Sequence, residues 1–142
     1  MTSNNVLKLA SWNVMGAGSA TKLGQVMTHL DLLKGDEYFL QETHMLNRET
    51  VQLRKGWVGE IFHSTFNSKA RVAAILICRG VSFTADRSIL DPYGRYLMVS
   101  GRLQDILTLF VCVYGPNLDD SLFITSLFPR VNSLLKKKNL CL

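Results

Sequence analysis

The sequence predicts a mixed-sheet α/β (α+β) domain, and three observations carry that reading. The chain opens with an apolar strand, an amphipathic helix and a second apolar strand. Five further β-like runs follow, separated by turn chemistry, and the chain closes on a helical pattern. A strand–helix–strand opening puts two strand ends on one sheet edge, and hairpin-joined strands after it add antiparallel pairs.

Residues 6–14 read as the first strand, closed by Gly16-Ala17-Gly18. Ser19 is placed to cap the helix that follows, in which Leu23, Val26, Met27, Leu30 and Leu33 recur at helical spacing. Gly35 stands where a C′ glycine would end it. Residues 37–41 make a short buried strand. Residues 57–64, 71–78, 81–86, 95–102 and 106–114 then read as strands. Leu103-Gln104-Asp105 looks like a hairpin tip, and Asp91-Pro92-Tyr93-Gly94 is strong turn chemistry. Residues 118–138 are helical in pattern, with Leu122, Phe123, Leu127, Val131, Leu134 and Leu135 as the apolar stripe. Pro129 either kinks this helix or starts a second one. The sequence holds no internal repeat, low-complexity segment or linker.

At 142 residues the chain bounds one domain with a real core, here residues 6–142 behind a flexible stretch at 1–5. A hydrophobic fraction of 47% against 19% charged residues excludes a disordered chain. Sixteen basic against eleven acidic residues give a net charge of +5, which mildly favours a polyanionic partner. The longest apolar run, 106–114, is too short to span a bilayer, so no membrane partner is expected. The first residues lack a basic stretch ahead of an apolar core, the mark of a secretory signal, so an intracellular protein of nucleus or cytoplasm is expected. Cys78, Cys112 and Cys141 are odd in number without CxxC spacing, which suits reduced thiols. Cys78 and Cys112 sit inside β-like runs, where cysteine acts as a small hydrophobe.

The residues able to do chemistry stand at strand ends. Glu42 follows Tyr38-Phe39-Leu40-Gln41 directly. A carboxylate at the end of a buried strand needs compensation, and Mg²⁺, a salt bridge or solvent can each supply it. Asn13 closes the first strand and, taken alone, is served by a turn hydrogen bond to its own backbone. Tyr114-Gly115-Pro116-Asn117 closes the strongest strand. Pro and Gly end that strand by themselves, while a phenol and an amide there can hydrogen-bond a phosphate oxygen. Lys136-Lys137-Lys138 at the end of a helical run complements the helix terminus and need not clamp nucleic acid.

Taken together, Ser11-Trp12-Asn13-Val14, Leu40-Gln41-Glu42-Thr43-His44 and Val113-Tyr114-Gly115-Pro116-Asn117 resemble the endonuclease/exonuclease/phosphatase superfamily. Within it the text is most similar to the apurinic-like endonuclease domain of non-LTR (LINE-type) retrotransposons. Val72-Ala73-Ala74-Ile75-Leu76-Ile77 and Gly94-Arg95-Tyr96-Leu97-Met98-Val99-Ser100-Gly101 support it between the motifs. The resemblance implies a four-layered sandwich of two mixed β-sheets flanked by helices, incomplete at its C-terminus. It implies Mg²⁺, with Mn²⁺ as the alternative and no other small-molecule cofactor, held by Glu42 with help from Asn13. It implies that Tyr114 contacts the phosphate and that Asn117 supports the strand end or the nucleic acid. The implied reaction is hydrolysis of a DNA phosphodiester that leaves a 3′-hydroxyl; His44 fits a structural role better than that of the base.

The family's later text is missing from these residues: there is no Gly-Asp-Phe-Asn-type segment and no Ser-Asp-His. Met15 stands where the family carries a polar residue, and Val72 where it carries glycine. Two readings therefore stay open: a DNA endonuclease domain truncated before the second half of its site, or an inactive retroelement-derived remnant with weak nucleic-acid affinity at most. A phospholipid or inositol phosphate substrate is the third, disfavoured by the Gln-Glu-Thr-His and Tyr-Gly-Pro-Asn text. Unpaired sheet edges predict self-association.

Overall fold

The computed structural model describes residues 6–17, 19–44, 53, 57, 59–63, 73–91, 95–113 and 121–137. Strand β1 (Leu9–Asn13) leads through helix α1 (Ala20–Leu33) into β2 (Glu37–Gln41), and the two strands pair in parallel. Strands β3 (Gly59–His63) and β4 (Ala73–Cys78) complete a mixed sheet of order β1-β2-β4-β3. A second sheet of order β5-β6-β7 is antiparallel throughout; its strands are Phe83–Leu90, Tyr96–Leu103 and Ile106–Val113. Helix α2 (Ser121–Lys137) follows.

Strand alternation sorts the apolar residues into three layers of contact. On β4, Ala74 and Leu76 pack with Leu23, Val26 and Leu30 of α1, while Ala73, Ile75 and Ile77 face the second sheet. On β6, Leu97 and Val99 face the first sheet, while Tyr96 and Met98 meet Leu127 of α2. Helix, sheet, sheet and helix thus stack as four layers, as the resemblance implies. Strands covered on both faces read as unbroken apolar runs, which is why β4 shows no alternation in the sequence. Among the described residues no helix is long and apolar enough to cross a membrane.

The ends of α1 show how local chemistry sets the frame. Ser19 caps the helix, its hydroxyl accepting the Lys22 N–H at 3.1 Å. The left-handed residue at the other end is Lys34 (φ 51°), so the expected role of Gly35 as terminator is corrected. Gly35 is needed for room: a Cβ there would come within 2.8 Å of the Tyr38 ring. The Tyr38 hydroxyl accepts the Gly35 N–H at 2.6 Å and donates to the Leu30 carbonyl at 2.8 Å. One buried phenol therefore serves a donor and an acceptor that the helix end leaves over. Leu33, placed on the apolar stripe by spacing, is exposed.

Three other expectations change. Strand β5 covers Phe83–Leu90, beyond the expected 81–86, because its Thr84 to Ser88 stretch is exposed and carries a bulge between Ala85 and Arg87. An exposed edge strand with an extra residue has neither apolar content nor clean alternation. Pro129 lies inside a continuous α2, on its exposed side, so it begins no second helix. The β6–β7 hairpin turns on two residues, Gln104 and Asp105, both with positive φ (50° and 68°), between the paired Leu103 and Ile106. This is the geometry that matches the twist of a tight hairpin.

Candidate functional site

Strands β1 and β2 end side by side, with Asn13 opposite Gln41. Their pairing runs on past the strands: Val14 N–H donates to the Gln41 carbonyl at 3.0 Å, Gly16 to Glu42 at 2.7 Å and Ala17 to Thr43 at 2.7 Å. The backbone there is strained. Met15 (φ 53°), Glu42 (53°) and His44 (52°) are all left-handed without being glycine. The other such residues among those described, Lys34, Gln104 and Asp105, serve a helix end and a hairpin. Left-handed backbone costs an ordinary residue roughly 1–2 kcal/mol, and such strain collects where a side chain must be aimed.

A third strand end meets these two across the sheets. Gln41 shares the inward face of β2 with Phe39, whose ring meets Phe110 of β7 edge-on at 6.0 Å. Gln41 Nε2 lies 3.0 Å from Ser11 Oγ, 3.2 Å from the Phe39 carbonyl and 3.4 Å from Cys112 Sγ. The Cys112 thiol in turn donates to the Leu40 carbonyl at 3.5 Å. Burial, outweighing the Gln41 contact, pushes this thiol up to about 11, so it stays protonated and acts as a small hydrophobe with one donor. The amide of Gln41 thus ties together the ends of β1, β2 and β7.

The expected site residues divide accordingly. Glu42 is half-buried, and its carboxylate makes no hydrogen bond or ion pair among the described residues. Asn13 is exposed, and its Oδ1 accepts the Met15 N–H at 3.0 Å, which is the plain turn role. Its Nδ2 has no partner among the described residues. Tyr114 follows Val113, the last residue of β7, but Tyr114 and Asn117 lie outside the described residues, as do residues 1–5 and Val72. His29 packs against Trp12 on α1, ring centres 4.9 Å apart, and is no part of this edge.

Among the described residues no group of three or more His, Cys, Asp or Glu side chains gathers for a metal ion. That does not disqualify Mg²⁺, which is commonly held by one or two carboxylates while keeping several waters. A lone half-buried carboxylate beside an amide fits such an ion and no fully caged one. Gln41 and Cys112 had no mark in the sequence as partners, since their meeting depends on how two sheets lie together. The available hint was polarity: a glutamine at an inward position of a buried strand needs a reason.

No family model matches the sequence. Solved structures do match the fold. Truncated TDP2 from Caenorhabditis elegans superposes with a TM-score of 0.69 at 15% identity, over 92% of this chain and 57% of its own. The endonuclease domain of TRAS1, a telomere-specific non-LTR retrotransposon, gives 0.61 at 17% identity, over 88% of this chain and 53% of its own. An AP endonuclease from Archaeoglobus fulgidus gives 0.53 at 24% identity, over 93% and 52%. This chain spans about half the length of the solved structures it matches.

Proposed function

From the fold it shares with the endonuclease/exonuclease/phosphatase superfamily, we propose that this chain is the metal-holding part of a DNA endonuclease domain of the non-LTR retrotransposon type, hydrolysing phosphodiesters with Mg²⁺ or Mn²⁺. The observation that carries the proposal is Glu42: a half-buried carboxylate without a partner among the described residues, held in left-handed backbone where two strand ends lie side by side. Glu42 holds the ion. Asn13, its oxygen occupied by the turn, has Nδ2 to donate to a phosphate oxygen. Tyr114 contacts the same phosphate, and Asn117 supports the strand end or the nucleic acid. When bound, the ion supplies stabilisation of charge on the phosphate and the leaving oxygen. The DNA partner is supported by the likeness in fold to a retrotransposon endonuclease domain and an AP endonuclease and by the net charge of +5.

Water-proton relaxation in a Mn²⁺ titration tests the metal site. Saturable binding by the chain, lost in Glu42→Ala, is expected; equal binding by both would remove Glu42 from the role. The residues that align water and phosphate in the family are not in this sequence, so the 142-residue chain is expected not to nick supercoiled plasmid. Robust nicking abolished by Glu42→Ala would show that half a site is not what this chain carries. The alternative, an inactive retroelement-derived remnant, rests on those missing motifs and predicts no saturable Mn²⁺ site at all.

A further inference from the structure

Glu37 opens β2, and alternation puts it on the face shared by Phe39 and Gln41, between the two sheets. β2 is an interior strand, so Leu9 of β1 and Ile77 of β4 flank this residue directly. Glu37 is 1% exposed, and neither carboxylate oxygen has a hydrogen-bond partner. The core it points into is built from apolar side chains, among them Ile75, Ile77, Phe83 and Phe110.

The charged and titratable groups nearby do not rescue it. On β3, Glu60 pairs with Ile77 and is exposed. On β7, Cys112 sits at the other end of β2, beside Gln41. Asp36, next in the chain, spends its carboxylate on the Lys8 N–H at 2.8 Å. Among the described residues no cation stands against Glu37 from any packed element, and burial alone raises its carboxyl. A neutral carboxyl is costly in such a place, and an ionised one far more so.

We propose that Glu37 is a proton-controlled catch between the sheets. With its carboxyl neutral, the antiparallel sheet docks on the mixed one; ionisation draws water into the seam and loosens that docking. Gln41 lies four residues along the same face, so the loosening reaches the tie that brings the end of β7 to the end of β2. The catch stands independently of the endonuclease reading, since it concerns sheet packing and not the metal.

Burial pushes the Glu37 carboxyl from 4.5 up to about 7. The folded chain therefore holds this proton more tightly than the unfolded chain does. Its stabilising share is full below about pH 4.5, declines as pH rises, and is gone above about pH 7.

Thermal unfolding of the chain, Glu37→Leu and Glu37→Gln between about pH 5 and 8.5 is the test. Glu37→Leu should gain on the parent as pH rises, its margin in Tm widening by several degrees from the acid to the alkaline end. Glu37→Gln should flatten the same dependence. A margin that does not change with pH overturns the catch. Because either variant can misfold, the carboxyl carbon-13 shift of Glu37 in the parent chain decides independently: a midpoint near 7 supports it, and one near 4.5 overturns it. Maleimide labelling of Cys112, located by peptide mapping, reads the link to β7. The parent should label faster than Glu37→Gln at about pH 8 and equally at about pH 6; equal rates at both overturn the link.

Discussion

At the scale of single residues, the edge formed by Asn13 to Ala17 and Gln41 to His44 spends stability on direction. Met15 is exposed and left-handed, with no visible need for its own side chain. Met15→Gly should therefore raise stability by roughly 0.5–1 kcal/mol, seen as a higher urea midpoint at unchanged slope. Glu42 bears the same strain, but glycine there would remove the carboxylate that the strain aims. Gln41→Ala should release three neighbours at once and speed thiol labelling of Cys112; unchanged protection would mean that apolar packing alone holds the end of β7. Asn13 and Glu42 were legible in the sequence because a polar residue at the end of an apolar strand stands out. Gln41, Cys112 and the burial of Glu37 were not, because spacing along one strand does not say what the opposite sheet presents.

At the scale of elements, α1 and the β6 strand carry the sharpest expectations. Ser19→Ala should cost about 1 kcal/mol through the lost cap. Tyr38→Phe should cost about 1–3 kcal/mol, since it strips partners from the Leu30 carbonyl and the Gly35 N–H around a buried ring. Gly101 lies on the inward face of β6, where a Cβ would stand 2.3 Å from the Thr84 carbonyl and 2.7 Å from the Phe83 ring. Gly101→Ala should thus cost about 1–3 kcal/mol or more in chemical denaturation, the range of an overpacked core. Most elements were readable: β2 matches its expected bounds, β4 and β7 match over the described part of theirs, and β6 is shifted by one residue at each end. The misses have causes. Gly35 looked like a terminator because glycine favours positive φ, yet the contact that demands it is a ring three residues on. The second half of β5 was hidden by its exposure, and Pro129 was tolerated because it lies on the solvent side of α2.

At the scale of the molecule, the four layers close two sheets against each other but leave β1 and β7 as outer strands of theirs. Leu9 on β1 is 56% exposed and Ile106 on β7 is 67% exposed, and apolar side chains on an outer strand favour pairing with another chain. We expect concentration-dependent self-association in sedimentation velocity, reduced by Leu9→Lys; a monomer at every concentration would contradict it. The layered architecture was legible only through motif resemblance. Alternation gave each strand two faces, but not which strands share a sheet: β4 lies between β2 and β3, an order the chain does not follow. The parallel pairing of β1 with β2 has a further consequence in time. Asn13 and Glu42 are brought together by a βαβ unit that closes within the first 44 residues, with α1 covering it. During synthesis every residue of that edge has left the ribosome before Ala73 opens β4. Contacts of short sequence separation form fast, so the edge of Asn13 and Glu42 is set before β4 to β7 are complete, and the catch at Glu37 must wait for the second sheet to arrive.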